Sequence, residues 1–168
     1  MSCILYLVRH ASAEVAAAGM GDADRRLTPD GAQRMRRAAA GLKRLGIIAD
    51  AVLSSPLPRA EETASILVRA LTPKRPADIY PPLAPGNAID EILGGLRRYR
   101  AARHLMLVGH QPGLGELASQ LLTGATSVVP LPFKKGGVAA IEVAALPPRT
   151  PGTLLWFVTP KQLRAMAE

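Results

Sequence analysis

Short unbroken apolar runs recur along the chain, and a helical pattern follows most of them. Ile4 to Val8 is the first, a run of the kind found in strands covered on both faces. Ala51 to Leu53 and His104 to Val108 repeat it, and Ile79-Tyr80 reads as a short edge strand. Val138 to Val143 and Leu154 to Val158 read as two final strands joined by the proline-rich LPPRTPG. Behind Thr28-Pro29-Asp30 come Ala32, Met35, Ala39, Leu42 and Leu45 at helical spacing. Thr28 is a good N-cap, Pro29 suits the first turn, and Asp30 complements the positive helix end. Gly46 is the expected stop. Ala60, Ala64, Leu67 and Leu71 mark a second helix, from about residue 58 to 71. Ile89, Ile92, Leu93 and Leu96 mark a third, reaching about residue 100. Leu114, Leu117, Ala118, Leu121 and Leu122 mark a fourth, stopped by Gly124, and KQLRAM a short terminal one. Residues 11–26 are mixed, with glycines favouring a loop and alanines permitting a short helix. The linker TPKRPAD at 72–78 is rich in turn formers, and residues 125–137 read as a loop.

Strands and helices therefore alternate to about residue 123, and two strands then follow nearly in succession. That order predicts an α/β fold: three α/β/α layers, a mostly parallel central sheet of about six strands, and one antiparallel edge strand. The 168 residues suit a single domain over 1–168, and no repeat or interdomain linker interrupts them.

Apolar residues make up 48% of the chain and aromatic ones 4%, so the core must be aliphatic. A formal charge of +8 favours anionic partners: nucleic acid, phosphorylated substrates or acidic proteins. Arg34, Arg36, Arg37, Lys43 and Arg44 fall on one helix and read as its solvated face rather than a nucleic-acid surface. The single Cys3 excludes an internal disulfide and a cysteine-based metal site, and reads as a small buried hydrophobe. No apolar run approaches the roughly 20 residues of a membrane span, and no leader pattern opens the chain. A soluble cytoplasmic protein is expected.

Two stretches carry the chemistry. LYLVRH and LMLVGH are apolar strands whose carboxyl ends each deliver a histidine. In open α/β sheets, ligands bind beyond such ends where the strand order reverses. If the two strands are neighbours there, His10 and His110 face each other across a crevice. Arg9 follows four apolar residues and needs an anionic partner, either a protein carboxylate or a bound phosphate. Arg59 lies at the start of a helix, where a cation opposes the dipole. It calls for an anionic ligand, or for pairing with Glu61 or Glu62. Ser12 is close enough to His10 to donate to a phosphate. Lys134-Lys135 reads as a solvated loop, and Trp156 as a core or edge residue.

VRH near the start, SSPLPRAEET at 54–63 and VGHQPGL at 108–114 resemble, in this order, the three signature segments of the histidine phosphatase superfamily. LTPDG, LAPG and GHQPGL resemble most its small SixA-type phosphohistidine phosphatases, over roughly residues 4–158. The resemblance implies a phosphoglycerate mutase-like fold. It implies His10 as a nucleophile that is transiently phosphorylated. Arg9, Arg59 and His110 complete the phosphate pocket. It implies no metal and no organic cofactor. Two departures stand out. Ala11 occupies the usual glycine position, and no motif selects a general acid among Glu14, Asp22, Asp24, Asp90 and Glu91.

The expected activity is hydrolysis of a phosphoryl group from protein phosphohistidine. The alternatives are a general small-molecule phosphomonoesterase and a non-catalytic phosphate-binding regulatory domain. The expected partner is a phosphorylated protein or a small phosphate ester. Nucleic acid and membrane are not expected, and a monomer is favoured while the oligomeric state stays open.

Overall fold

The apolar runs assemble into one six-stranded sheet in the computed structural model of the chain, which describes residues 2–71 and 75–168. In chain order the strands are β1 (Cys3–Arg9), β2 (Ala51–Ser54), β3 (Asp78–Ile79), β4 (His104–Gly109), β5 (Val138–Val143) and β6 (Thr153–Val158). The helices are α1 (Pro29–Arg44), α2 (Pro58–Leu71), α3 (Ile89–Gly95), α4 (Gly113–Thr123) and α5 (Pro160–Ala165). The spatial order of the strands is β3-β2-β4-β1-β5-β6.

Alternation along the central strands divides the core into two layers. Leu5 and Leu7 of β1 pack with Leu105 and Leu107 of β4 against Leu114 and Leu117 of α4. Tyr6 and Val8 point the other way, with Met106 and Val108, onto Met35 and Leu42 of α1 and Leu67 of α2. Helices thus cover both faces, which is why β1 and β4 read as continuous apolar runs. Cys3 is buried in the first of these layers, as expected.

The mostly parallel sheet is as expected, with one refinement. β5 is the antiparallel strand, and it pairs with both β1 and β6, so β6 takes the edge that was expected to be antiparallel. The link over residues 144–152 is too short for a crossover, so the chain turns straight back along the outer side of β5. The third helix is also shorter than expected. α3 ends at Gly95 and tightens into a 3-10 turn over Leu96–Tyr99. Gly94 and Gly95 weaken it there, and a Cβ on Gly95 would overlap the Tyr80 hydroxyl.

Residues 11–26 form a loop with a 3-10 turn at Asp22–Asp24, closed by an isolated bridge between Ala13 and Leu27. Thr28 caps α1 as expected, its Oγ1 accepting from the Gly31 N–H at 2.9 Å. Gly31 is glycine for want of space, because a Cβ there would overlap the Ser12 carbonyl oxygen. The first three residues of the linker expected over 72–78 lie outside the described residues. Among the described residues, no helix is long and apolar enough to cross a membrane.

Candidate active site

β1 and β4 are adjacent and parallel, with Arg9 opposite Gly109 in the register. The next residue of each strand is therefore a histidine. The chain leaves β1 toward α1 on one face and leaves β4 toward α4 on the other, so the two exits diverge and open a crevice. His10 and His110 meet there, with ring centroids 5.1 Å apart. Both are nearly buried, at 5% and 6% exposure.

His10 Nδ1 lies 2.8 Å from the Ala11 carbonyl oxygen. A carbonyl only accepts, so Nδ1 carries the proton and Nε2 keeps its lone pair. Burial, helped by Arg59, Arg9 and Lys135, pushes the His10 pKa down to about 4. The ring is neutral at physiological pH, the state a nucleophile requires.

His110 Nε2 lies 2.7 Å from Ser55 Oγ. Ser55 Oγ also accepts from the Leu57 N–H at 3.3 Å. Ser55 is fully buried, and His110 Nε2 is the acceptor within reach of its hydroxyl proton. His110 therefore holds its own proton on Nδ1, a buried nitrogen without a partner. Burial, with the neighbouring His10 and the arginines, pushes its pKa down to about 3. It is a neutral donor beside the neutral ring of His10.

Two guanidiniums flank the histidines. Arg9 Nη1 donates to the Phe133 carbonyl at 2.7 Å, and its buried Nε has no partner. Arg59, 3% exposed in the first turn of α2, donates to Asp22 through Nη1 to the carbonyl at 2.7 Å and through Nη2 to Oδ2 at 3.0 Å. Its Nε is also buried without a partner. The pairing of Arg59 with Glu61 or Glu62 considered from the sequence does not form. Glu62 is taken by Arg26 at 2.6 Å and by the Leu27 N–H.

Among the five carboxylates considered as general acid, Asp22 is the one bound to a pocket residue. Arg59, first among its neighbours, holds the Asp22 carboxyl below its usual value, so it stays ionised. Glu14 instead accepts from the Arg26 N–H. Ala11 fits its position without strain, since no described non-glycine residue has positive φ. Its N–H donates to Thr63 Oγ1 at 3.1 Å, and Thr63 donates onward to the Arg59 carbonyl at 2.7 Å. That chain of hydrogen bonds ties the turn after β1 to the first turn of α2. Ser12 is half-buried and lines a neighbouring groove together with Ala11, Lys134 and Lys135. The cleft beside His110, of about 200 Å³, is lined in part by Leu83, Asn87, Gln111 and Glu116.

Sequence reasoning did not single out Ser55, Thr63, Phe133 or Glu116. The serine pair at the end of β2 was visible, but which serine meets His110 depends on β2 lying beside β4.

The fold and the paired strand tips define a phosphoglycerate mutase-like α/β protein. The chain matches the model of the histidine phosphatase superfamily (branch 1) over residues 5–84. It is 37% identical, over 95% of its length and 98% of the relative's, to an uncharacterised protein of Picosynechococcus sp.. It is 27% identical to the phosphohistidine phosphatase SixA of Escherichia coli K12, over 95% of this chain and 96% of that protein. The structure of the protein histidine phosphatase SixA complexed with tungstate superposes with a TM-score of 0.83 at 26% identity, covering 95% of this chain and 99% of that one. A phosphoglycerate mutase of Bacillus anthracis shares the fold at a TM-score of 0.68 and 16% identity, over 99% and 96% of the two chains. The chain belongs to the histidine phosphatase superfamily, in its SixA-type branch. Its chemistry is that of a phosphatase acting on a phosphorylated substrate.

Proposed function

We propose that this protein hydrolyses phosphohistidine on a partner protein through a phosphorylated His10. The carrying observation is the His10 imidazole itself, neutral, protonated on Nδ1 and bare at Nε2, beside three buried nitrogens without partners: Arg9 Nε, Arg59 Nε and His110 Nδ1. A transferring phosphoryl group spreads negative charge over its equatorial oxygens, and these donors stabilise it there. The SixA relative in complex with tungstate, an oxyanion, supports the same reading.

In the first step His10 Nε2 attacks phosphorus, and the bond from phosphorus to the substrate nitrogen breaks. The departing imidazole leaves neutral when its ring is already protonated. In the second step water attacks phosphorus, inorganic phosphate departs, and Nε2 regains its lone pair. An alkoxide leaving group would instead need a protonated acid, and Asp22 is held ionised by Arg59. This favours a phosphoramidate over a phosphate ester. Two connections at the sheet's carboxyl edge are short, residues 55–57 between β2 and α2 and residues 110–112 between β4 and α4, and leave that side open to a side chain on a folded partner. The longer segment 10–28 brings Asp22 onto Arg59.

The test is a comparison of turnover on a phosphohistidine protein with turnover on a panel of phosphate esters, with acid quenching to trap the intermediate. Preference for the phosphohistidine protein and acid-labile phosphate on His10 are expected. Faster turnover of an ester would favour a small-molecule phosphomonoesterase. Phosphate trapped on another residue would overturn the mechanism.

A further inference from the structure

A second concavity lies on the other side of the nucleophile's turn. This groove, of about 380 Å³, begins at Ala11 and Ser12, directly after His10, and runs between α1 and α5. Its cations come from three elements: Arg34 from α1, Lys134 and Lys135 from the loop before β5, and Lys161 and Arg164 from α5. No carboxylate lines it. Arg34 is compensated by Asp30 at 2.9 Å. Lys134, Lys135, Lys161 and Arg164 form no ion pair among the described residues. Like charges held together without counter-charge repel one another, and an anionic partner relieves that repulsion.

The floor of the groove is apolar, formed in part by Met35, Ala38 and Pro160. No aromatic side chain lines it, so it offers no platform on which nucleic-acid bases could stack. An acidic polypeptide meets both demands, with carboxylates for the rim and aliphatic stems for the floor.

We propose that this groove receives an acidic segment of the phosphorylated partner while the phosphorylated side chain enters at His10. The proposal rests on the phosphoprotein reading above, and continuity of the groove with the His10 turn through Ala11 and Ser12 sets the register between the two.

The test compares the wild-type chain with a triple variant, Lys134→Glu, Lys161→Glu and Arg164→Glu. Lys135 is left in place because its charge bears on His10. One arm measures binding of a fluorescent peptide rich in Asp and Glu around an unphosphorylated histidine, across a range of salt. The other measures turnover of phosphoimidazole, too small to reach the groove. The wild-type protein is expected to bind the peptide more weakly as salt rises. The triple variant is expected to bind it about tenfold more weakly, with phosphoimidazole turnover within about twofold of wild type. That retained turnover also shows that the variant folds. Equal peptide binding by both proteins, or none by either, overturns the proposal. So does tighter binding of single-stranded DNA than of a peptide of equal charge, or an equal loss of phosphoimidazole turnover in the variant. If neither protein releases phosphate from any phosphohistidine, the functional reading fails, and the peptide arm still decides the groove.

Discussion

The Ala11 carbonyl oxygen accepts a hydrogen bond from His10 Nδ1 at 2.8 Å, between consecutive residues at the tip of β1. This contact assigns the tautomer, and in the proposed mechanism the tautomer assigns the attacking nitrogen. Nitrogen NMR in phosphate-free buffer at pH 6 is expected to show His10 neutral, with the proton on Nδ1. A protonated imidazolium at that pH, or a proton on Nε2, would remove His10 Nε2 as the nucleophile.

The same burial makes folding sensitive to acid. His10 and His110 have native pKa values of about 4 and about 3, below the 6.5 of an unperturbed imidazole. Between those values the unfolded chain binds protons that the native chain does not, so stability falls as pH falls. The contribution is complete above about pH 6.5 and is lost progressively toward pH 4 and below. Urea midpoints at pH 7 and pH 5 measure it. His10→Gln is expected to flatten the slope, and an unchanged slope in that variant would contradict the assignment.

Ser55 acts through His110. Without its hydroxyl, His110 Nε2 loses its partner and the ring is free to take the other tautomer. Ser55→Ala is expected to lower kcat/KM by about fivefold or more, corresponding to about 1 kcal/mol for one hydrogen bond. The NMR signature of His110 should change with it. Lost activity with an unaltered His110 spectrum would place the effect elsewhere.

Asp22 competes with the phosphoryl group for Arg59. Asp22→Asn keeps the backbone contact from Asp22 to Arg59 Nη1 and removes the negative charge. Inorganic phosphate is then expected to inhibit a few-fold more tightly, since the pair joins a buried guanidinium to an exposed, solvent-screened carboxylate. Weaker inhibition would mean that the carboxylate serves to hold Arg59 in position.

Ala11 carries no conformational penalty at its position, where its φ is not positive. Ala11→Gly is expected to leave kcat within about twofold. It should reduce stability by about 0.5–1 kcal/mol, through the greater freedom of glycine in the unfolded chain. A gain in stability on denaturant titration would reveal strain that the backbone does not show.

The parts of the site that were legible in the sequence are those delivered by local chemistry. Arg9, His10 and His110 follow apolar runs, and a polar residue at the end of a buried strand is visible without knowing its neighbours. Arg59 was visible as a cation misplaced at a helix start. Its partner was not, because Asp22 reaches it from a loop with no regular pattern, while the nearer Glu62 is drawn to Arg26. Ser55 and Thr63 were hidden for a related reason. Each acts across two elements, Ser55 from the turn after β2 to His110 and Thr63 from α2 to Ala11. The sheet's composition was readable from alternation of strand and helix. Its order was not, because β4 slips between β1 and β2, and the chain's own sequence of strands does not record that insertion.

The central position of β1 shapes how the enzyme comes into being. Ile4 pairs with His104, and Val8 with Val138, so both neighbours of the first strand emerge from the ribosome long after it does. Until then β1 is an apolar segment with neither edge bonded, and such distant pairings slow folding and leave a strand exposed to unwanted association. Arg9 beside that segment is a charged gatekeeper of the sort that discourages strand stacking. His10 is made well before β4 and β5, and the pocket around it closes only when those two strands dock on β1.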